Sequence, residues 1–266
     1  MTNIQNIVSE LKEKGITSNL NWLSSDEISF IKNHTLKLNK KKGDKQSHLP
    51  ISNFSLLLKL AKIQFRDVAL GLYLKNLSKK LQLNEISNQY FNAKSKLVNM
   101  DFYVSEKSNT PVLDWHVDKA YSGRKDVSHF VKAEDFGLKF IFYLTDVTFD
   151  NGCLKYIPFS NKIAFALKKG IFNKEIQYSP YWKVSDFSAL VKLNETIVLK
   201  YVDKESLHKF YESVENLGHT QFQKKFSHEI QKGGAVIFDE SGVHKGTEPK
   251  YNDRLIFRYI FKKDGI

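Results

Sequence analysis

The segment Trp115-His116-Val117-Asp118 contains the residues whose types and spacing most clearly suggest chemistry. In an extended chain, residues i and i+2 point to the same face, so the side chains of His116 and Asp118 would project together. An imidazole and a carboxylate suit a first-row divalent metal, and a second imidazole would complete the two-histidine, one-carboxylate set of non-haem Fe(II) oxygenases. Such a triplet is common by chance, so this hypothesis needs a further ligand.

His244 is the best candidate for that ligand among the eight histidines. It follows an apolar run that ends at Asp239, and the glycines on either side, Gly242 and Gly246, permit a close approach of the backbone. The alternative is a loop histidine at the end of a strand, without a metal. The remaining histidines, apart from His116, lie in helical or polar contexts that are typical of surface positions.

Arg254 follows His244 by ten residues and opens the last apolar run of the chain. An iron oxygenase of this kind needs a second reactant that delivers two electrons. 2-Oxoglutarate does so while chelating the metal through its keto and C1 carboxylate oxygens, which leaves its distal carboxylate to be held. A guanidinium pairs with a carboxylate through two parallel hydrogen bonds, so we predict this role for Arg254. Arg258 has the same strand parity, and we interpret it as one half of a structural ion pair.

The elements that must position these residues change in character near residue 96. Before it, residues 3–13 and 53–82 have apolar side chains at helical spacing, and Ser24 with Glu27 forms a capping-box signature. We therefore predict that the first part of the chain is helical.

After residue 96, short apolar or alternating runs are separated by turn signals. We predict strands at 97–104, 112–118, 138–147, 153–157, 196–202, 235–239 and 254–262. Residues 204–216 have a helical pattern, and 161–195 fit neither class. Many short strands without alternating helices predict a barrel or a double-sheet jelly roll, with helices packed against it.

Composition limits the class of protein. Of the 266 residues, 41% are hydrophobic, which is enough for a substantial core. The single cysteine excludes an intrachain disulfide, and no apolar run approaches the roughly 20 residues that span a bilayer. The N-terminal segment MTNIQNIVSELKEKG lacks the apolar stretch of a signal peptide. We therefore expect a cytoplasmic protein without a membrane span.

Three segments, taken in order and spacing, resemble the phytanoyl-CoA dioxygenase family. They are HVD at 116–118, FIFYLTDVTFDNGCLKYIPFS at 140–160 and GGAVIFDESGVHKGTEPKYNDRLIFRYIF at 233–261. The positions that match the family's pattern are His116, Asp118, Asn151, Gly152, Pro158, Ser160, His244 and Arg254. The family has a glycine and a histidine where this chain has Phe159 and Asn161, so the local turn must differ.

The resemblance implies a non-haem Fe(II)- and 2-oxoglutarate-dependent dioxygenase that uses O2 to hydroxylate a small metabolite. It implies that His116, Asp118 and His244 bind Fe(II) and that Arg254 binds the cosubstrate. Asp118 is retained, whereas halogenating relatives have a small residue there, so halogenation is disfavoured.

The resemblance also implies the fold class, which is mainly β with flanking helices (α+β). Its core is a double-stranded β-helix (jelly roll, cupin-like), preceded by N-terminal helices. The chain would form one domain, 1–266, with a helical part at 1–95 and a core at 96–266 that carries an insert at 161–230.

Two further groups of residues follow from the resemblance. In this family the strand before the metal-binding strand supplies polar contacts to the cosubstrate, and here Asn99 and Tyr103 share one face of that strand. The loop at 119–137 should lie near the metal, and we predict that Tyr121 and Arg124 contact the substrate. The basic character of this loop favours an anionic substrate.

Three alternatives remain. The same scaffold can catalyse desaturation, epimerisation or cyclisation, or it can be an inactive jelly-roll binding protein. An oxygenase that acts on nucleic acid or protein would account for the net charge of +12. That reading requires a clustered basic face, but the lysines are spread along the chain except between Lys37 and Lys45, where we predict a solvated loop. A nucleic-acid partner is therefore disfavoured, and nothing in the sequence indicates an oligomeric state.

Overall fold

The structure, a computed structural model, describes residues 4–19, 21–39, 46–50, 65–108, 112–118 and 136–265. Within these ranges the helices are α1 (Ile4–Lys14), α2 (Ser25–Asn39), α3 (Phe65–Lys80), α4 (Leu83–Phe91), α5 (Ser160–Phe172), α6 (Val184–Leu193), α7 (Glu195–Val198), α8 (Lys204–Glu215) and α9 (Thr220–Lys225). The strands are β1 (Ile16–Asn19), β2 (Gln46–Pro50), β3 (Ser95–Ser105), β4 (Gly137–Tyr143), β5 (Leu154–Tyr156), β6 (Ser227–His228), β7 (Ala235–Asp239), β8 (His244–Gly246) and β9 (Arg254–Lys263).

The first helices follow from local sequence signals. α1 buries Ile7, Val8 and Leu11 on one face, and the chain then turns at Gly15, whose φ of +80° is accessible to glycine at little cost. α2 begins with the predicted capping box. The Ser24 backbone N–H donates to the Glu27 carboxylate at 2.8 Å, and the Glu27 backbone N–H donates to the Ser24 hydroxyl at 3.3 Å.

Six strands form the larger sheet in the order β1-β7-β4-β9-β3-β2, and every neighbouring pair is antiparallel. β9 pairs with β3 from Arg254 opposite Ser105 to Lys263 opposite Ser95. All residues of β4 and β7 are buried, because other elements cover both faces of the sheet there. This burial explains the nearly continuous apolar sequences of these two strands.

Alternate residues of the larger sheet pack into different apolar clusters. Phe140 and Phe142 on β4 belong to a cluster that includes residues of α1, α2, α3 and α4. Ile141 and Tyr143, one position away, pack on the opposite face with Leu154 of β5 and its neighbours. This period of two sends the odd-numbered residues of β4 toward the smaller sheet.

The smaller sheet has the order β6-β5-β8, and both of its strand pairs are antiparallel. The segment around His116 extends it, because His116 forms isolated bridges with His244 and with Lys183. A third apolar cluster joins Trp115, Val117 and Val243 to side chains of helices α5 to α9. The layers in order are therefore α1–α4, the larger sheet, the smaller sheet and α5–α9.

The structure is a mixed α and β protein with antiparallel sheets, and its described helices hold more residues than its described strands. It is therefore richer in helix than a mainly β class, since five helices occupy most of the predicted insert at 161–230. The part predicted as helical, 1–95, also contains the short strands β1 and β2, which pair with β7 and β3. Strands of four or five residues are too short to show a clear period in the sequence.

Two predicted strands differ from the structure. Residues 196–202 fall in α7 and the turn after it, where Val198 is buried among helices, so this prediction was wrong. A short apolar run has the same composition in a buried helix as in a buried strand. Within 112–118 only His116 forms β bridges, and Leu113 and Asp114 before it are exposed, so this segment is not a regular strand.

Residues 40–45 of the predicted lysine loop, and 53–64 of the predicted long helix, lie outside the described residues.

No helix in the described part of the chain is both long enough and apolar enough to cross a membrane.

The stability of the smaller sheet should depend on pH through His228. This residue lies opposite Leu154, and burial lowers its pKa from 6.5 to about 4. The unfolded chain therefore binds a proton that the native protein excludes, so the free energy of unfolding should fall as the pH drops from 6.5 to about 4. In His228→Gln this pH-dependent decrease in the free energy of unfolding, of up to about 3 kcal/mol, should be absent. Urea unfolding curves at a series of pH values measure it.

The matched control is His208→Gln, because His208 is exposed on α8 and is solvated in both the native and unfolded states. It should follow the wild-type curve. An unchanged pH dependence in His228→Gln would contradict the assignment.

Candidate metal centre

His116, Asp118 and His244 lie together although they are distant in the sequence. One ligand atom from each residue can be chosen so that all of them lie within 4.8 Å of one another. His116 Nε2 is 3.8 Å from Asp118 Oδ1, and His244 Nε2 is 3.5 Å from Asp118 Oδ2. The two imidazole ring centroids are 4.5 Å apart. Donors with this spacing can converge on one ion at bond lengths of about 2.1 Å.

Backbone pairing sets the positions of the two histidines. The His116 N–H donates to the His244 carbonyl at 3.0 Å, and the His244 N–H donates to the His116 carbonyl at 2.9 Å. Residues that face each other in an antiparallel pair project to the same side, so both imidazoles face the larger sheet. On the other side, the Val117 N–H donates to the Trp182 carbonyl at 3.1 Å. The segment that carries His116 and Asp118 is therefore held from both edges.

Each imidazole has its Nδ1 fixed by a carbonyl two residues earlier in the chain. His116 Nδ1 is 2.7 Å from the Asp114 carbonyl, and His244 Nδ1 is 2.9 Å from the Gly242 carbonyl. A carbonyl only accepts, so Nδ1–H is the donor and Nε2 is left with its lone pair toward the centre. Gly242 is needed here, because a Cβ at this position would lie 1.9 Å from the Tyr156 hydroxyl oxygen.

The protonation states suit metal binding. Burial and the nearby His244 lower the pKa of His116, which favours the neutral imidazole that a metal requires. Burial disfavours the Asp118 carboxylate, but His244 and Lys139 outweigh it and hold the pKa of Asp118 well below its usual range. Two imidazole nitrogens and one ionised carboxylate oxygen fit Fe(II) and leave further coordination positions open.

His116 and His244 line a cavity of about 480 Å³ that is also lined by cationic side chains. Its walls include the apolar side chains Ile141, Leu154, Phe238 and Ile256. Lys139, Arg254 and Arg258 also line it. A volume of this size accommodates a small organic molecule next to the three residues.

Of the three cations that line the cavity, Arg254 has no carboxylate partner among the described residues. Its Nη2 donates to Ser105 Oγ at 3.0 Å and its Nη1 donates to the Gly152 carbonyl at 3.1 Å, while its buried Nε has no hydrogen-bond partner within the described ranges. Burial lowers the pKa of Arg254, yet a guanidinium stays charged. A Cβ at Gly152 would lie 3.1 Å from Arg254 Cδ, so glycine gives this side chain its space.

Arg258 forms the predicted structural ion pair, with Asp101. Its Nε and Nη2 donate to the two carboxylate oxygens at 2.7 and 2.6 Å, and Nη2 also donates to the Tyr103 hydroxyl at 2.7 Å. Tyr103 thus lies on the cavity wall. Asn99 donates to Asp101 Oδ2 at 2.5 Å and is not among the residues that line the cavity. Of the two residues predicted to contact a cosubstrate, only Tyr103 is placed at the cavity.

Two charged residues near Asp118, Lys139 and Glu240, were not predicted from the sequence. Lys139 on β4 donates to Asp118 Oδ2, and its Nζ is 3.5 Å from Glu240 Oε2. A lysine that interrupts the apolar run LKFIFYL was a visible signal of a buried charge. Tyr121 and Arg124, predicted to contact the substrate, lie outside the described residues.

Removing one of the three ligands should abolish tight metal binding. We expect His244→Gln and Asp118→Asn each to weaken the binding of Co²⁺ by at least about 100-fold in an anaerobic titration, because each removes one of three donors. His228→Gln, which changes a histidine elsewhere in the smaller sheet, should retain the wild-type affinity. Equal affinities in all variants would exclude this metal centre.

The two arginines of the cavity should differ in their effect on stability. Arg258→Met leaves the fully buried Asp101 carboxylate without its main counter-ion and should cost about 3–5 kcal/mol. Arg254→Met removes a buried charge that has only neutral partners, so the free energy of unfolding should fall by less than about 1 kcal/mol, or rise. Urea unfolding of the metal-free protein measures both, and equal losses would contradict the assignment.

Solved structures with the same fold include enzymes described as alpha ketoglutarate dependent or as binding iron. The carbocyclase SnoK from nogalamycin biosynthesis, described as non-heme and alpha ketoglutarate dependent, is 14% identical with a TM-score of 0.57 over 99% of this chain and 84% of that chain. The epimerase SnoN, in complex with Fe3+, alpha ketoglutarate and nogalamycin RO, is 10% identical with a TM-score of 0.55 over 98% and 83%. EctD from S. alaskensis with bound Fe is 12% identical with a TM-score of 0.54 over 99% and 77%.

At the level of sequence, no curated protein matches the chain. The family described as Phytanoyl-CoA dioxygenase (PhyH) matches residues 29–250, which include His116, Asp118 and His244. The chain therefore belongs to the phytanoyl-CoA dioxygenase family.

Proposed function

We propose that this protein is an Fe(II)- and 2-oxoglutarate-dependent dioxygenase that hydroxylates a small molecule. The observation that carries the proposal is that one cavity is lined by His116 and His244, which form a candidate metal site with Asp118, and by Arg254. The Arg254 guanidinium has no carboxylate partner among the described residues. The candidate metal site can hold iron, and the guanidinium matches the distal carboxylate of 2-oxoglutarate.

The cosubstrate would be held by residues of the larger sheet. A carboxylate beside Arg254 supplies the missing counter-ion and an acceptor for the buried Nε–H. Ser105, which accepts from Arg254 Nη2, keeps the guanidinium plane in place. Tyr103, whose ring lies 4.8 Å from the Arg258 guanidinium, borders the same space, and we assign it a contact with the cosubstrate. Asn99 would act indirectly, because it donates a hydrogen bond to Asp101, which in turn pairs with Arg258.

When bound, iron and 2-oxoglutarate supply a two-electron oxidation that consumes O2 and converts 2-oxoglutarate to succinate and CO2. The protein's own contribution is orientation and the exclusion of water. His116 and His244 are held by backbone carbonyls, so their Nε2 atoms need no reorganisation to bind a metal. The apolar walls of the cavity orient a C–H bond of the substrate and keep bulk water out.

The reaction outcome that we propose is hydroxylation. The similarity to an epimerase and a carbocyclase gives epimerisation and ring formation as the second candidate. The mass of the product distinguishes them. One added oxygen supports hydroxylation, an unchanged mass supports epimerisation, and the loss of two hydrogens supports desaturation or ring formation.

Several further assignments belong to this proposal. The two facing sheets would be those of a double-stranded β-helix, within a single domain that spans residues 1–266. The substrate would be a small metabolite in the cytoplasm, with an anionic group recognised by Tyr121 and Arg124. A nucleic-acid substrate is disfavoured because the lysines are spread along the chain.

An inactive binding protein of the same fold is a weaker candidate. Burial of the Arg254 charge disfavours the native state unless a ligand compensates for it, and the ionised Asp118 suits a metal. In a protein that binds neither a metal nor a carboxylate ligand, the charges of Arg254 and Asp118 would have no function.

Arg254 should determine the affinity for 2-oxoglutarate. In an anaerobic titration of the Co²⁺-loaded protein, Arg254→Met should weaken binding by about 10- to 100-fold, because a charge-assisted pair is lost. Arg254→Lys keeps the charge without the planar fork and should be intermediate. The control is Lys250→Met, which removes an exposed positive charge nearby in the sequence and should bind like the wild type.

In air with Fe(II), the wild type should form succinate from 2-oxoglutarate and His116→Ala should not. A wild-type protein that binds neither Co²⁺ nor 2-oxoglutarate would refute the proposed function.

A further inference from the structure

Lys139 places a buried ammonium against one of the three metal-binding residues. It is an odd-numbered residue of β4, so it points toward the smaller sheet, as Ile141 and Tyr143 do. Its Nζ donates to Asp118 Oδ2, and the side chain is only 9% exposed. A lysine is rarely buried to this degree unless it is paired, so its partners define its role.

Glu240 holds the ammonium from the opposite side. Its Oε2 lies 3.5 Å from Lys139 Nζ, and its side chain is 5% exposed. The Glu240 N–H donates to the Gly137 carbonyl at 3.0 Å, at the start of β4. A Cβ at Gly137 would lie 2.8 Å from Glu240 Oε1, so glycine there leaves room for the carboxylate. Lys139 is therefore fixed between two acidic side chains.

The contact with Lys139 makes the two oxygens of Asp118 unequal. Oδ2 accepts a hydrogen bond from the Lys139 ammonium and also lies 3.5 Å from His244 Nε2, whereas Oδ1 lies 3.8 Å from His116 Nε2. An oxygen that is bound to an ammonium is a poorer metal ligand, because the cation withdraws its charge and excludes a second cation from the same lone pairs. We propose that Lys139, held by Glu240, is a positioning residue that restricts Asp118 to one metal–oxygen bond.

This inference rests on the proposed function and explains a requirement of it. Three protein ligands with one bond each leave three positions of an octahedral ion. A chelating 2-oxoglutarate takes two of them, so one position remains for a further small ligand. An aspartate that bound through both oxygens would fill that last position. Lys139 thus keeps the metal accessible without touching the substrate.

The test compares Lys139→Met, Lys139→Arg and Glu240→Gln with a matched control, Lys155→Met. Lys155 is also a buried lysine on a strand, but its ammonium donates to Gln223 at 2.9 Å and it does not line the cavity. Circular dichroism and urea unfolding report whether each variant folds. Three binding measurements follow under anaerobic conditions: Co²⁺ to the metal-free protein, 2-oxoglutarate to the Co²⁺ form, and nitric oxide to the Fe(II) form with 2-oxoglutarate.

We expect Lys139→Met to bind Co²⁺ at least as tightly as the wild type, because a repelling cation has been removed. Nitric oxide should bind to it at least about tenfold more weakly, and the Co²⁺ absorption spectrum should change as the coordination of the metal changes. Lys139→Arg should restore nitric oxide binding, because a guanidinium can occupy the same oxygen. Glu240→Gln should lie between wild type and Lys139→Met, and Lys155→Met should match the wild type in all measurements.

A folded Lys139→Met protein with wild-type nitric oxide binding and an unchanged Co²⁺ spectrum would overturn the inference while the proposed function stands. Loss of Co²⁺ binding in this variant would also overturn it, since Lys139 would then be needed for the site to form. If Lys139→Met does not fold, the same measurements on Glu240→Gln decide the question. A wild-type protein that binds neither Co²⁺ nor 2-oxoglutarate refutes the proposed function, and the role of Lys139 with it.

Discussion

The reciprocal backbone hydrogen bonds between His116 and His244 are the interaction on which the rest of the site depends. They join a segment with little regular structure of its own to β8 and set its register. Alternate residues face opposite sides of a sheet, so a shift of one residue would turn His116 and Asp118 away from the cavity. The backbone, more than the rotamers of three side chains, therefore determines whether a metal can bind.

The charged side chains around the cavity indicate the net charge of the ligands that the site can hold. Arg258 is neutralised by Asp101, and Lys139 lies between Asp118 and Glu240. Arg254 has only neutral partners among the described residues. These three cations and three carboxylates sum to zero, so a divalent metal together with a dianion leaves the buried site neutral. That balance agrees with Fe(II) and 2-oxoglutarate better than with either one alone.

The sequence revealed the parts of the site whose signal is local. Residues at i and i+2, a histidine between glycines and an arginine that opens an apolar run are recognisable because the chemistry restricts residue type and spacing. Strand parity also placed Tyr103 on the cavity face. Strand parity could not show that the Asn99 amide donates a hydrogen bond to Asp101, which lies on the same face.

Other features depended on tertiary contacts that no local pattern contains. The apolar run around Lys139 indicates a buried lysine, but its partners Asp118 and Glu240 come from two other segments and meet it only in the folded chain. The run at 196–202 forms a helix and a turn because it packs against α5 and α6, and its apolar composition would equally suit a strand. The departure from the family's turn at Phe159 is accommodated by a left-handed backbone, with φ of +67°.

The two sheets contribute different chemistry to the cavity, and their packing sets its geometry. The smaller sheet, with its His116 extension, carries the imidazoles, whereas β3, β4 and β9 of the larger sheet carry Tyr103, Lys139 and both arginines. What holds the sheets at a fixed distance is an apolar cluster in which Ile141 and Tyr143 of one sheet meet Leu154 and Tyr156 of the other. Protein interiors are packed too densely for such contacts to shift freely. Because the two imidazoles and Arg254 reach the cavity from different sheets, core packing between the sheets fixes the distance between the candidate metal site and the guanidinium.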